Sequence, residues 1–260
     1  MRYGFIEPII TPDNYVLGSI GGEVLQADGQ WDEFLPQYEP QAENYETSGC
    51  TCWGTENALE ILFKRKFQFE PNFSERYPYN LANIEHPGAD PHFIGEVCRK
   101  YGFINQDSLP VPPTYEEFKT PRPMEMKYLL EGKEWMEKWD FKHEWVFTGA
   151  KTKEQRIETM KKALTFSPLG VAVSAWHEQN DIYVDFGMAN NHWCVCYGYD
   201  DEKQAWKIFD SYDHSTKLYS YDSAINFAKR YSIEKKLQEK QNWLQQLLTN
   251  FWSFIKDILQ

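Results

Sequence analysis

"TSGCTCWGTENALEILF", residues 47–63, sets two cysteines one residue apart where helical text begins. From Gly54 onward Ala58, Leu59, Ile61 and Leu62 recur at helical spacing. Lys64, Arg65 and Lys66 close the run, where cations suit a helix C-terminus. A thiol at the opening of such a helix lies where the macrodipole and the unpaired N–H groups favour a thiolate. The pair reads as metal ligands, as a disulfide fragment, or as a nucleophile with its neighbour. The short C-x-C loop makes an unstrained disulfide within the pair a poor reading.

The rest of the composition narrows the class. A chain of 260 residues with 42% hydrophobic and 17% aromatic content folds and buries a core, as one domain or as two lobes around a cleft. A formal charge of −12 argues against a nucleic-acid binder, which needs a basic face to displace counterions. No apolar run reaches the ~18 residues of a membrane span, and "MRYGFIEPII" is cut by Pro8, unlike a secretory signal. The cysteines, Cys50, Cys52, Cys98, Cys194 and Cys196, are odd in number, which fits a reducing, cytoplasmic setting.

Helical text dominates the first part: the Cys50 segment, "PHFIGEVCRKYGF" (91–103), "EMKYLLEGKEWMEKW" (125–139) and "TKEQRIETMKKALTF" (152–166). Then come short runs rich in Val, Ile and aromatic residues, bounded by turn residues: 169–176, 192–199 and 205–210, the last two joined by a hairpin. The order predicts an α+β fold with a helical lobe against an antiparallel sheet lobe.

A cysteine nucleophile needs a base and an orienting acceptor for that base. Of six histidines, His86, His92, His143 and His177 sit in polar or helical text and His214 in a turn. Only His192 heads an apolar strand, "NNHWCVCYGY", and Asp210 ends the next, "KIFDSY". Asp210 would accept from one imidazole nitrogen while the other faces sulfur.

These stretches resemble the papain-like cysteine peptidases, whose pattern is a Cys opening the central helix, a His starting a strand, and an Asn followed by Ser-Trp ending the next. The matching text is "SGCTCWGTENALE", "NNHWCVCYGYD" and "KIFDSYD". The Cys50–His192 interval falls within the ~130–150 residues expected of such enzymes. "SPLGVAVSAW" resembles the strand before the family's histidine, and the likeness runs in patches from about residue 30 to 222. It is nearest to divergent members encoded in bacterial and phage genomes.

The resemblance implies a two-lobe papain-like fold and hydrolysis of peptide or protein amides, with no cofactor and no metal. Cys50, with Glu60 ten residues on, fits the bacterial frame; Cys52–Trp53 fits the eukaryotic one, and Cys50 is preferred as nucleophile. The resemblance further implies Asp210 as the orienting residue in place of Asn, Tyr212 in the shielding Trp position, and Gln41 rather than Asn44 as oxyanion donor. Gly49 and Asn191 would hold the substrate backbone. A family pro-region, a long helix, has no room before Cys50, although the first ~30 residues are free to cover the cleft.

Other readings compete. His192, Cys194 and Cys196 on one strand face span ~13 Å, too far for one metal ion, so Cys194 and Cys196 are expected to pack under the central helix. The Cys, His, Asp order also suits transglutaminase-like enzymes and leader peptidases. An inactive papain-like structural or binding module is the third class. It is raised by residues 233–260, where Ile233, Leu237, Leu244, Leu247, Phe251, Phe254 and Ile258 predict an amphipathic helix. That helix would dock on its own domain, self-associate or meet a partner. Residues 1–30 read as an N-terminal extension and 31–232 as the peptidase-like domain.

Overall fold

The structure, a computed structural model, describes residues 4–12, 14, 16, 18–212 and 216–236. The first half of the chain holds strand β1 (Gly4–Phe5), helices α1 (Cys50–Phe67) and α2 (Arg76–Leu81), strand β2 (Gly88–Ala89), and helices α3 (Pro91–Tyr101), α4 (Tyr115–Phe118) and α5 (Met126–Lys138). Next come strand β3 (Trp139–Thr148), helix α6 (Lys153–Leu164) and strands β4 (Leu169–Val173), β5 (His177–Gln179) and β6 (Ile182–Val184). Strands β7 (His192–Asp200), β8 (Ala205–Phe209), β9 (Thr216–Ser220) and β10 (Phe227–Lys235) complete the order. The fold is α+β, as the order of signals predicts. Among the described residues no helix is long and apolar enough to cross a membrane.

Helix α1 is the axis of the molecule. All of Cys50–Phe63 is buried, including Glu56, Asn57 and Glu60, so the helix is enclosed on every side rather than laid on a surface. Its basic last turn ends at Gln68, whose φ of 55° is a left-handed cap. Helix α3 has the caps its sequence promises: the Asp90 side chain accepts from the His92 N–H, Pro91 opens the first turn, and Gly102 closes it with φ 75°.

Eight strands form one sheet in the order β3-β10-β4-β7-β8-β9-β6-β5, antiparallel except where β6 meets β9. β7 pairs with β4 (Val173 opposite His192) and with β8 (Val195 opposite Phe209). This puts the start of β7 beside the end of β8. Strands β3 and β10, neither expected from sequence, pair along their whole length from Phe227–Thr148 to Lys235–Trp139. Their period-2 pattern is masked by ions that find partners only in the fold: buried Arg230 bonds buried Glu144, which also accepts from the N–H groups of Gly18 and Ile20 at 2.9 and 3.0 Å.

One expectation is corrected. Ile233 opens no helix; it lies in β10 opposite Phe141. Residues 237–260, the rest of the expected amphipathic helix, lie outside the described residues. Cys194 and Cys196 are buried in one cluster with Cys52, Ala58, Leu59 and Ile61 of α1, as expected, and Trp193 of β7 abuts the helix as well. A Cβ at Gly54 would lie 2.7 Å from the Trp193 ring, and one at Gly170 would lie 2.5 Å from it. Two glycines therefore make room for the indole.

Candidate active site

Cys50 is the first residue of α1, after Gly49 and without a side-chain cap. Gly49 is imposed by packing, because a Cβ there would lie 2.7 Å from the Trp53 ring and 3.1 Å from Thr47 Oγ1. Where α1 meets β7, the Trp193 backbone N–H lies on the side of the Cys50 sulfur and favours its thiolate. His192, the preceding residue, is thereby placed next to the helix start.

His192 Nε2 and Asp210 Oδ1 are 2.5 Å apart, and Lys217 Nζ is 2.8 Å from Asp210 Oδ2. The Lys217 ammonium also donates to the Tyr212 carbonyl at 2.6 Å. Burial alone would raise the Asp210 carboxyl, but the charge and hydrogen bond of His192, with those of Lys217, leave it below the usual carboxylate range. An ionised Asp210 can only accept, so Nε2 carries the proton and Nδ1 is the other face of the ring. The imidazole is edged by two rings, Trp176 at 5.7 Å and Tyr212 at 5.3 Å between centroids, each near perpendicular. Tyr212 thus stands in the shielding place expected of it, and Trp176 shares the work.

The two cysteines of α1 have different neighbours. Burial pushes the Cys50 thiol well up, opposed by the Trp193 N–H and reinforced by the charges of Asp210 and Glu46. Burial pushes Cys52 up as well, and the charges nearest it belong to Glu56, Cys98 and Glu75. Of the two, Cys50 is the one on which the Asp210 charge acts.

Gln41 is buried beside the same residues. Its N–H donates to the Ser211 carbonyl at 3.0 Å and its Oε1 accepts from Ser211 Oγ at 2.6 Å. That leaves Nε2 buried near the Tyr212 hydroxyl without a hydrogen bond of good geometry. Asn44 is exposed. The Asn191 N–H donates to Val173 at 2.9 Å and its side chain brackets Ala175, so it holds the turn ahead of His192. Sequence reasoning missed three participants. Lys217 approaches the site through the pairing of β9 with β8, and Trp176 from the connection between β4 and β5. Glu46, which accepts from the Tyr212 hydroxyl and from the Ser48 N–H, approaches through loop geometry.

Cys50, His192 and Asp210 are all wholly excluded from solvent. All five cysteines are free and buried. Among the described residues no group of three or more His, Cys, Asp or Glu side chains is placed to hold a metal ion.

A central helix headed by a thiol, packed on a sheet whose adjacent strands carry an imidazole and a carboxylate, is the fold of the papain-like cysteine proteases. Solved structures with this fold include xylellain, a cysteine protease from Xylella fastidiosa, at 17% identity and TM-score 0.61, covering 90% of this chain and 96% of that one. The clostridial cysteine protease Cwp84, after propeptide cleavage, matches at 14% identity and TM-score 0.61 over 79% of this chain; the match spans 57% of the Cwp84 chain. A digestive procathepsin L 3 from the larval midgut of Tenebrio molitor matches at 13% identity and TM-score 0.57, covering 89% and 76%. No family model matches the chain, and no curated protein sequence matches it significantly.

Proposed function

We propose that the chain is a cysteine-dependent amide hydrolase acting on peptides or proteins. The observation that supports this best is the convergence of three groups: Cys50 at the head of α1, where the Asp210 charge acts on its thiol, and His192 paired to Asp210 at 2.5 Å. Cys50 passes its proton to His192 Nδ1 and its sulfur attacks the substrate carbonyl carbon. The imidazolium then gives that proton to the leaving amine as the C–N bond breaks, and a thioester remains. Water, deprotonated by the neutral imidazole, attacks the thioester carbon; the C–S bond breaks and the thiol is restored. Asp210 holds the ring in the Nε2–H tautomer throughout, and Lys217 holds Asp210. Gln41, its Oε1 turned away by Ser211, offers Nε2 to the oxyanion together with the Cys50 N–H.

A second reading, a binding module on a papain-like frame, draws on the exclusion of the triad from solvent. One experiment separates the two. Folded protein is treated with a peptidyl epoxysuccinate between pH 5 and 7, and the adduct is mapped by mass spectrometry. Stoichiometric labelling of Cys50 that persists in Cys52→Ala and is lost in His192→Ala is expected. Labelling of Cys52 instead would transfer the nucleophile by two residues. No labelling of either, with unchanged circular dichroism, would favour the binding module.

A further inference from the structure

Two carboxylates act on the Cys50 thiol, and both work against its ionisation: Asp210 and Glu46. Asp210 is compensated, since one of its oxygens meets His192 Nε2 and the other the Lys217 ammonium. Glu46 is not. Its Oε1 accepts from the Ser48 N–H at 2.6 Å and its Oε2 from the Tyr212 hydroxyl, both neutral donors. Among the described residues no lysine, arginine or histidine forms an ion pair with it.

The carboxylate is held from two sides. Ser48 has a φ of 54°, left-handed for a residue with a Cβ, and that turn directs its N–H at Glu46. The Ser48 hydroxyl is fixed in turn on His86 Nδ1 at 2.6 Å. The same loop, residues 46–49, runs straight into α1 at Cys50. On the other side, the Tyr212 ring stands edge-on to His192, 5.3 Å between centroids and 75° between planes. Glu46 thus links the loop that leads to the thiol with the ring that covers the imidazole. It is half-buried, so a group arriving from solvent can reach it.

These contacts fix which part of a substrate would meet it. Gln41, on the oxyanion side, and Glu46 both approach the Tyr212 hydroxyl. Tyr212 covers the ring that protonates the leaving amine. Glu46 therefore belongs to the leaving-amine side of the reacting carbonyl.

An uncompensated charge has a chemical consequence in this place. The thiol must become an anion beside it, and like charges oppose one another, the more so where water is partly excluded. A cation carried by the substrate would cancel that repulsion and gain an ion pair. One contact would then bind the substrate and favour the thiolate together, which makes it stronger in the reaction than in the resting chain.

We propose that Glu46 selects substrates with a lysine or arginine side chain on the first or second residue of the leaving amine, its carboxylate receiving the cation beside Cys50. As a statement about substrate this rests on the amide-hydrolase reading; the charge beside Cys50 does not, and is measured separately.

The test compares the full chain with Glu46→Gln and Tyr212→Phe. In Glu46→Gln the amide keeps both contacts, its oxygen accepting from Ser48 and its nitrogen donating to the Tyr212 oxygen, and loses only the charge. Tyr212→Phe removes the hydroxyl and keeps the charge. The first readout needs no peptide. Cys50 is modified with the cationic 2-aminoethyl and the anionic 2-sulfonatoethyl methanethiosulfonate, each rate resolved by peptide mass spectrometry and divided by its rate with a free thiol. The cationic reagent is expected to lead by about 10-fold in the parent and in Tyr212→Phe, and by no more than about 2-fold in Glu46→Gln. A ratio unchanged in Glu46→Gln, or no reagent reaching Cys50 in the folded parent, would overturn the assignment. The second readout is kcat/KM on quenched peptides with Lys, Ala or Glu at each of the two positions after the scissile bond. Lys is expected to lead Glu by about 10-fold at one position, and Glu46→Gln to erase that lead by speeding the Glu peptide as well as slowing the Lys one. Equal rates in the parent, or a lead that survives Glu46→Gln, would overturn the selection of a basic residue. A charge ratio that depends on Glu46, with no cleavage of any peptide, would uphold the cation site and overturn the hydrolase reading.

Discussion

The sheet buries two histidines in nearly the same company. His192 Nε2 meets Asp210 at 2.5 Å, and the far oxygen of Asp210 holds Lys217. His143 Nε2 lies 3.1 Å from Glu96, and Glu96 is held in turn by Arg99 through both carboxylate oxygens. Each is a buried imidazole, a carboxylate and a cation. Their surroundings part them. His192 starts a strand, where β7 meets the head of α1. His143 is mid-strand in β3 under α3, with the Gly95 backbone so near that a Cβ there would lie 2.8 Å from its ring. Burial and the charge of Lys229 push His143 down to about 3, and the same two causes push His92 beside it to about 4. The two histidines of the second cluster therefore stay neutral, and the Gly95 backbone closes on the His143 ring. A histidine–carboxylate–cation chain is thus no signature of catalysis. What distinguishes His192 is its place at the boundary between helix start and strand start.

The largest effect should come from exchanging the two. His192→Ala is expected to lower kcat/KM by roughly 10³-fold or more, since base and acid are the same group. His143→Leu, normalised to titratable Cys50, should stay within about 3-fold. If the two variants lost activity equally, the proposed division between a reacting and a structural histidine would be wrong.

A smaller effect sharpens the role of the cation. In Asp210→Asn one acceptor oxygen faces two donors, His192 Nε2–H and the buried Lys217 ammonium. The single variant is expected to lose about 10- to 100-fold in kcat/KM. The double variant Asp210→Asn/Lys217→Met, in which the amide oxygen serves His192 alone, should recover most of it. A double variant as poor as the single would mean that the carboxylate charge itself matters, and that Lys217 only accompanies it.

The contrast also explains what could be read from sequence. Helices α1 and α3 were legible because their apolar spacing and end residues are local properties: cations at the end of α1, Asp90, Pro91 and Gly102 around α3. Cys50, His192 and Asp210 were legible because each stands at the end of a regular element. β3 and β10 were not, because Glu144, Lys229 and Arg230 break the alternation that marks a strand. Lys217 was invisible for the same reason, being a buried charge whose partner is across the sheet. His143, set aside as a residue of polar text, is a buried strand residue whose partners lie on α3. β1 was hidden differently, since a two-residue strand has no periodicity to detect.

Lys229 offers the mildest test, and it reads the second cluster directly. The side chain is wholly buried, its Nζ 3.0 Å from His92 Nδ1 and 4.0 Å from the centre of the Trp145 ring. Burial pushes its pKa down from 10.5 to about 7, although Asp90, Glu96 and Glu144 pull the other way. The sign follows from proton counting. Between pH ~7 and ~10.4 the unfolded chain binds a proton that the folded chain has released, so stability from this group rises with pH. Below pH 7 its cost is present in full. Lys229→Met removes that slope while keeping the length of the apolar stem. The variant is therefore expected to gain on the parent most at pH 6, with the difference between their melting temperatures shrinking steadily toward pH 10. Both should weaken in acid, where His92 and His143 must take up protons that the fold disfavours. Parallel melting curves across pH 6–10 would show that Lys229 keeps its proton in the folded state. The second cluster would then keep a buried ammonium beside its histidines, as the first keeps Lys217, and the difference between the two would reduce to the presence of Cys50.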